Sequence, residues 1–292
     1  MKESKKHLGA LRKCLVTKND RTGWSSEREP ADSLRDKSNV IGGRLPSLTF
    51  ALDAMSGRWA IYIDIEGFGA KWTDTTMEAF GGINALMQGI FWIGDRYYRD
   101  PPDRLFAHQF GDGFLVASDF HEEMLDRAVL VSVALLRHVL ANGETAKCAI
   151  SEGEISDIQG CYPPEIRNQL NDWNIQFGSG VMTVTPVLGS ALINTVFLAK
   201  ASPSGPMLSI SPSDRERLSC GVTATNVNER VSIVNWLRGE PGGLRELQAA
   251  ARFRHYSEEE RVAQLLAYIE ANTSLTAEWK DNASRYLFTG AI

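Results

Sequence analysis

The apolar positions along the middle of the chain recur with two periods, and these periods predict the order of its strands and helices. A run rich in Ile, Tyr and Trp that ends at Asp64 predicts a buried strand. Two apolar segments around Gly111-Asp112-Gly113 predict a hairpin, because Gly and Asp tolerate positive φ. The predicted elements are a strand at 59–64, a helix at 72–90, a hairpin at 105–118, a helix at 121–140 and a strand at 146–155.

This order of strand, helix, hairpin, helix and strand indicates an α+β fold with helices packed on one face of the sheet. Further elements are predicted at 189–200 (helix), 207–211 (strand), 214–218 (short helix) and 231–236 (strand). We divide the chain into a polar, flexible leader (1–45), a main domain (46–238) and a helical C-terminal extension (239–292). The extension opens a helix with a capping box at Ser257–Glu260, and we expect it to serve packing or dimer support.

The predicted helix at 72–90 carries large apolar side chains at three- and four-residue spacings, which we expect to form core. They are Trp72, Met77, Phe80, Ile83, Leu86, Met87 and Ile90, and Phe91 is expected to be core as well.

Two acidic residues stand where strands stop. Asp64 ends the first strand and Asp112 lies at the hairpin tip. If the two strands are neighbours, both carboxylates reach the same edge of the sheet, where their oxygens suit a hard divalent cation such as Mg²⁺ or Mn²⁺. The backbone N–H groups of Ile65 to Gly69 open the following helix and would suit a phosphate group.

Five short blocks, in order, resemble those of a class III nucleotidyl cyclase domain, and the resemblance covers about 46–238. The blocks are Asp64-Ile-Glu-Gly-Phe68, Phe110-Gly-Asp-Gly-Phe114, the strand Cys148 to Ile155, the helix Gly189 to Asn194 and the strand Met207 to Ser211. The resemblance implies a ferredoxin-like sheet. It also implies a homodimer whose sites form between protomers.

The resemblance further implies roles for individual residues. Two Mn²⁺ or Mg²⁺ ions per site are held by Asp64, Asp112 and the backbone carbonyl of Ile65, and they lower the pKa of the ribose 3′-hydroxyl for attack on the α-phosphate. Asn194, from the other protomer, orients the ribose. The nucleotide contacts are assigned to Ile65, Glu66, Gly67, Phe68 and Gly69, although we expect the Glu66 side chain to point away from the aspartates.

The chain departs from the family at the residues that read a purine base and stabilise the transition state. His108 stands where purine cyclases carry Lys or Glu, and Thr185-Pro186 lies in the stretch where the partner Asp is expected. Leu198 replaces the transition-state Arg, which leaves Lys200 or an arginine elsewhere as a substitute cation. Either the domain is inactive or it binds a different base.

Compact cyclase domains with such departures resemble the pyrimidine cyclases of bacterial Pycsar anti-phage systems, which make cyclic UMP or cyclic CMP. We therefore predict a uridylate cyclase whose product acts on a separate effector protein, with His108 in the base pocket. A cytidylate or purine cyclase and a non-catalytic nucleotide-binding domain are the alternatives.

Composition and charge limit the partners that the protein is expected to bind and the cellular compartment in which it is expected to lie. The 292 residues carry a net charge of −5, which argues against a general affinity for nucleic acid or anionic membranes. The longest apolar run, 128–136, is too short to span a bilayer, and the N-terminus lacks the apolar core of a signal peptide. The five histidines are scattered and predict no histidine metal site. We expect a cytoplasmic protein.

Overall fold

The computed structural model describes residues 57–289 except 75, 101–102, 119–120, 158–161, 172–173 and 185–186. The predicted leader and residues 46–56 therefore lie outside the described residues. The strands are β1 (Arg58–Ile65), β2 (Leu105–Phe110), β3 (Gly113–Ser118), β4 (Ala146–Gly153), β5 (Ser156–Asp157), β6 (Leu170–Asn171), β7 (Asn174–Phe177), β8 (Gly180–Thr183), β9 (Val187–Leu188), β10 (Leu208–Ile210), β11 (Ala224–Asn226) and β12 (Ser232–Val234). The helices are α1 (Phe68–Asp74), α2 (Thr76–Arg96), α3 (Asp126–Ala141), α4 (Pro164–Arg167), α5 (Ser190–Ala201), α6 (Leu244–Ala251), α7 (Glu258–Ala271) and α8 (Ala277–Ala283), with a 3₁₀ turn at Pro212–Arg217 and a π turn at Ser284–Phe288.

A seven-stranded sheet organises the chain, in the order β11-β12-β10-β4-β1-β3-β2. Within it, the elements from β1 to β4 have the predicted chain order of strand, helix, hairpin, helix and strand. These four strands are antiparallel to their neighbours and lie in the spatial order β4-β1-β3-β2. This is the ferredoxin-like arrangement. The strand β10 then adds parallel to β4. The α+β, ferredoxin-like prediction is confirmed.

The main core lies on one face of the sheet. Because side chains alternate along a strand, Trp59, Ile61, Ile63 and Ile65 of β1 all point to this face, and all are buried beneath α2 and α3. Each such side chain contributes about 1.5–3 kcal/mol by leaving water. Helix α2 approaches β1 closely because Gly82 has no side chain, as a Cβ there would lie 2.9 Å from Ile65.

The C-terminal helices share this core. Helix α3 is buried along most of its length because α6 and α7 cover its outer side. The buried Arg137 of α3 donates to the carbonyl of Trp236 at 3.0 Å and pairs with Glu240 at 3.0 Å. The predicted capping box at Ser257–Glu260 is present, with both reciprocal hydrogen bonds. The packing role expected for the extension is therefore seen, and the domain boundary at 238 stays a prediction.

The expectation that helices lie on one face is wrong, because α5 packs on the opposite face. There Ala191 of α5 contacts Ala60 of β1 and Leu115 of β3. Gly153 permits this approach, since a Cβ at that position would lie 2.3 Å from the Ala191 nitrogen. This second face carries the site described below.

The predicted core of the first helical region is only partly correct. The region forms two helices, α1 and α2, and Ile83 and Leu86 are buried as expected. Trp72 and Phe91, however, are 47% and 63% exposed, and Phe80 and Met87 are also exposed. The helix is apolar around more of its circumference than the sheet can cover, so spacing alone did not identify the buried stripe. The side chain of Met77 lies outside the described residues.

A small antiparallel sheet, β6-β7-β8, forms an arm that the sequence did not predict. Its hairpin turns at Gly178, which has a φ of 59°. Phe177, Val181 and Met182 are exposed on this arm.

Candidate active site

The second face of the sheet places Asp64 in a row of residues from four adjacent strands. Asp64 lies opposite Lys147 of β4 on one side and Gly113 of β3 on the other, and Gly113 lies opposite Phe110 of β2. Asp64 is the last but one residue of β1, so the row is at the edge where this strand ends.

Asp112 reaches the same edge through a two-residue turn. Phe110 pairs with Gly113, so Gly111 and Asp112 alone connect β2 and β3. Gly111 has a φ of 65°, a conformation that glycine adopts without steric cost at the first position of such turns. The structure thus brings Asp64 and Asp112 to one end of the sheet, as the sequence predicts, while their roles as metal ligands stay predictions.

The two carboxylates lie close enough to repel each other. Burial raises the pKa of Asp64 to about 7, and the charges of Glu66 and Asp112 add to this effect while Lys147 opposes it. Burial, together with the charges of Asp64 and Asp112, also raises the pKa of the Tyr62 phenol to about 12. The edge therefore carries a negative potential that a cation would relieve.

Space for a ligand comes from Gly113. A Cβ at this position would lie 2.9 Å from the Tyr62 hydroxyl and 3.0 Å from the Cβ of Asp64. Any side chain there would crowd the carboxylate, so glycine keeps the surface beside Asp64 open.

These residues fit the divalent cations that the resemblance implies. Asp64 and Asp112 offer the oxygen ligands that Mg²⁺ and Mn²⁺ prefer, in a position where Lys147 compensates the negative charge only in part. Within the described part of the chain, no three His, Cys, Asp or Glu side chains converge as a ligand set. The predicted set of two aspartates and the Ile65 carbonyl would leave the other coordination positions to water and substrate.

The expectation for the Glu66 side chain is wrong. Residues 64 and 66 are two apart, and side chains with that spacing share a face of a strand. Glu66 acts on Asp64 through its charge, and its carboxylate accepts a hydrogen bond from the indole of Trp279 at 3.0 Å. Burial raises the pKa of Glu66, whereas Lys147 and the Trp279 hydrogen bond favour its charged form.

The turn after β1 offers fewer free N–H groups than predicted. The Glu66 N–H donates to the Thr145 carbonyl at 2.9 Å, because the pairing of β1 with β4 continues one residue further. Gly67 has a φ of 73°, and α1 begins at Phe68. The N–H groups of Gly67, Phe68 and Gly69 stand at this helix start, where intrahelical partners are lacking.

His108 lies on the same face as the aspartates. It pairs with Leu115 on β3, which in turn pairs with Tyr62 on β1, so His108 is one row behind Asp64. The ring is half-buried, and burial lowers the pKa of His108. Its place on this face keeps it a candidate for contact with a ligand bound near Asp64.

A shallow apolar groove runs beside this row, between the sheet and α5. Its volume is about 420 Å³, and Lys200 is its charged member. The lining residues are Tyr62, Phe110, Leu192, Ile193, Val196, Phe197 and Lys200. Lys200 therefore lies in the same groove as Tyr62, the pKa of whose phenol is raised in part by the charges of both aspartates.

Asn194 is not brought to the aspartates within one chain. Its side-chain amide donates to the carbonyl of Glu152 at 3.3 Å. Glu152 pairs with Trp59, five residues before Asp64 on β1, which is a distance of about 17 Å along a strand. A site that contains both Asn194 and Asp64 needs two chains.

The position expected to carry a transition-state Arg holds a partly buried leucine instead. Leu198 packs against the buried cluster of Met207, Val231, Ile233 and Tyr286. Its side chain therefore points away from the groove that Lys200 lines.

Three residues at the carboxylate end were missed by sequence reasoning. Tyr62 could have been found, since it lies two positions before Asp64 on a predicted strand. Lys147 depended on the register between β1 and β4. Trp279 comes from 213 residues away and left no local signal.

The chain resembles known proteins only weakly. Neither protein-family models nor curated protein sequences match it. Among solved structures, a bacterial light-regulated adenylyl cyclase gives a TM-score of 0.37 at 15% identity, over 68% of this chain and 56% of that one. A structure described as a class III adenylyl cyclase-like ATP-binding protein from Pseudomonas aeruginosa gives 0.36 at 14% identity, over 57% of this chain and 36% of that one.

This chain spans about half the length of the first of these structures and about a third of the second. None of the helices that the structure describes is long and apolar enough to cross a membrane.

Proposed function

We propose that this chain is a metal-dependent nucleotidyl cyclase that converts a pyrimidine nucleoside triphosphate, UTP first, to the 3′,5′-cyclic monophosphate and pyrophosphate. The observation that carries the proposal is the meeting of Asp64 and Asp112 at one edge of a ferredoxin-like sheet, where burial and the charges of Glu66 and Asp112 raise the pKa of Asp64 to about 7. Two carboxylates arranged in this way are poised for cations rather than for a structural ion pair.

The reaction that suits this edge is an internal displacement at phosphorus. Two Mn²⁺ or Mg²⁺ ions per site, bound by Asp64, Asp112 and the Ile65 carbonyl, would lower the pKa of the 3′-hydroxyl and offset the charge of the triphosphate. The 3′-oxygen bonds to the α-phosphorus, the bond to the bridging oxygen of the β-phosphate breaks, and the hydroxyl proton passes to solvent. Gly67, Phe68 and Gly69 would contact the phosphates through their N–H groups.

Lys200 is our candidate for the cation that stabilises charge at phosphorus. It is exposed and lines the groove next to Tyr62, whereas Leu198 packs against a buried cluster and carries no charge. A lysine places a compact positive charge without the fork of an arginine.

A twofold homodimer completes the proposed site. Asn194 lies far from Asp64 in the same chain, so the ribose contact would come from the partner. The exposed side chains Phe177, Val181 and Met182 on the β7–β8 arm, with Phe197 on α5, offer apolar surface for such an association. A twofold axis would give two equivalent sites.

His108 is our candidate for the residue that contacts the base, because it lies half-buried on the row behind Asp64. The choice of a pyrimidine is supported by the sequence resemblance. A cytidylate cyclase and a purine cyclase keep the same metal edge and differ only at this pocket. We propose further that the product is a cytoplasmic second messenger in anti-phage defence that acts on a separate effector, a role supported by the sequence resemblance.

A non-catalytic nucleotide-binding domain is the second candidate. It is favoured by Leu198, which leaves no guanidinium at the place where the resemblance expects one. The retained pair of Asp64 and Asp112 favours catalysis, because binding alone does not require two adjacent carboxylates.

The deciding experiment incubates the purified protein with each of the four ribonucleoside triphosphates and Mn²⁺, followed by mass spectrometry of the products. We expect one cyclic pyrimidine monophosphate with an equal amount of pyrophosphate. A cyclic purine product would overturn the pyrimidine assignment and keep the cyclase. Nucleotide binding by calorimetry with no product would favour the non-catalytic domain.

A further inference from the structure

The C-terminal helices reach the carboxylate end of β1. Trp279, on α8, is only 4% exposed, and its indole N–H donates to the Glu66 carboxylate at 3.0 Å. This contact joins residues at opposite ends of the described chain. It is a direct link between the extension and a residue two positions from Asp64.

The indole is held firmly in place. The Thr276 hydroxyl caps α8 by accepting from the Trp279 backbone N–H at 3.2 Å. Asn282, on the same helix, donates to the Ser204 carbonyl at 3.0 Å. The Tyr268 ring lies 6.1 Å from the Trp279 ring, and the ammonium of Lys71 lies 5.3 Å from the centre of Tyr268. The N–H group is therefore presented in a fixed direction.

Glu66 contributes a third negative charge to the edge. The ammonium of Lys147, which lies opposite Asp64 and donates to the Ser202 carbonyl at 3.2 Å, opposes the charges of Asp64 and Glu66. The described side chains do not converge as a three-carboxylate ligand set, so Glu66 acts from beyond ligand distance. In a partly buried site, the charge of a carboxylate that does not touch the cation still changes the affinity for a divalent cation substantially.

We propose that Trp279 is a positioning residue that fixes the Glu66 carboxylate beside the aspartates, where its charge strengthens the binding of divalent cations. This inference rests on the proposed function. Without the indole N–H, the buried Glu66 carboxylate would lose the donor that holds it in one rotamer, and its charge would no longer be fixed beside Asp64. The C-terminal extension is then part of the site.

The test measures Mn²⁺ binding to the full chain without nucleotide, by electron paramagnetic resonance of the free ion. Glu66→Gln keeps an acceptor for the indole and removes the charge, and it is expected to weaken Mn²⁺ binding about tenfold. Trp279→Phe keeps the ring and removes the donor, and it is expected to weaken binding about threefold. In the double variant, Trp279→Phe should add nothing to the effect of Glu66→Gln, because it acts only through that carboxylate.

Asn282→Ala is the matched control, since it removes another hydrogen bond between α8 and the rest of the chain. It should lower the melting temperature and leave Mn²⁺ affinity unchanged. Equal losses of Mn²⁺ affinity in Asn282→Ala and Trp279→Phe, or additive losses in the double variant, would overturn the positioning role. Wild-type protein that binds Mn²⁺ no better than Asp64→Asn would overturn the proposed metal site as well. If the wild-type protein binds Mn²⁺ and Glu66→Gln binds it with the same affinity, this inference alone is overturned.

Discussion

Asp64 is the central residue of the proposed metal site, and its surroundings disfavour its charged form when no cation is bound. Burial and two neighbouring carboxylates raise its pKa to about 7, so near neutral pH its charge is held at a cost in free energy. A bound cation would remove that cost. Asp112 stands on a tight turn and adds the second charge.

We expect Asp64→Asn and Asp112→Asn each to lower cyclase turnover at least about a hundredfold, because each removes an anionic ligand while keeping the side-chain shape. Neither change should lower the melting temperature of the metal-free protein, because each relieves repulsion. Product formation by mass spectrometry and thermal unfolding check the two parts. Turnover within tenfold of wild type in either variant would contradict the metal assignment.

His108 gives a second prediction at the scale of one residue. His108→Ala should change the ratio of UTP to other nucleotides cyclised, since the residue lies one row behind the carboxylates on the same face. The Mn²⁺ requirement should stay the same. His255→Ala is the control, because that histidine pairs with Gln248 in the extension. An unchanged nucleotide ratio in His108→Ala would remove it from the base pocket.

Among the elements, the β2–β3 hairpin sets the geometry of the carboxylate pair. Gly113→Ala would place a Cβ 3.0 Å from the Asp64 Cβ, and we expect Mn²⁺ affinity and turnover to fall about tenfold, with about 1–3 kcal/mol of lost stability. Gly111→Ala is the comparison, because its φ of 65° is strained for alanine while no atom would obstruct the Cβ. It should cost about 1 kcal/mol of stability and change turnover less. The reverse order of effects on turnover would show that the turn conformation, rather than the open space at Gly113, sets the site.

Helix α3 gives a prediction about pH. His138 is buried, its Nε2 has no hydrogen-bond partner, and its ring stacks on Phe253 at 4.1 Å. Burial lowers the pKa of His138 to about 4. The unfolded chain therefore binds more protons between about pH 6.5 and 4, and the neutral histidine contributes stability that is lost as pH falls through this window.

His138→Phe keeps the stacking and removes the titration. The free energy of unfolding of the variant minus that of the wild type should rise by at most about 3 kcal/mol when the pH is lowered from 7 to 4. Urea unfolding of both proteins at the two pH values measures this difference. A wild-type and variant difference that does not change with pH would show that His138 is not neutral in the fold.

At the scale of the whole molecule, the separation of Asn194 from Asp64 makes a dimer testable by complementation. Asp64→Asn and Asn194→Ala should each be inactive alone. Mixed in equal amounts and allowed to exchange subunits, they should recover about a quarter of wild-type activity, since half of the dimers are mixed and each has one intact site.

Phe177→Asp, on the exposed arm, should lower both the dimer fraction and the recovered activity if the arm supports association. Sedimentation analysis measures the dimer fraction. No recovery in a mixture that sedimentation shows to contain mixed dimers would contradict a site shared between chains.

The sequence by itself determined the local parts of the fold and the two aspartates. The apolar run before Asp64, the Gly-Asp turn and the spacing along α3 each encode an element in a few neighbouring residues, and all three formed where predicted within a few positions. The position of Asp112 followed from its turn. The shared face of Asp64 and Glu66 was also encoded, by the period of two, although our expectation missed it.

The tertiary structure alone decided which faces were covered and which distant residues met. Spacing could not show that Trp72 and Phe91 stay exposed, because burial depends on what packs against a helix. It could not place α5 on the second face, separate Asn194 from Asp64, or bring Trp279 to Glu66. Those contacts arise from the packing of elements far apart in the chain. Local periodicity does not predict a contact such as that between Glu66 and Trp279, which are 213 residues apart.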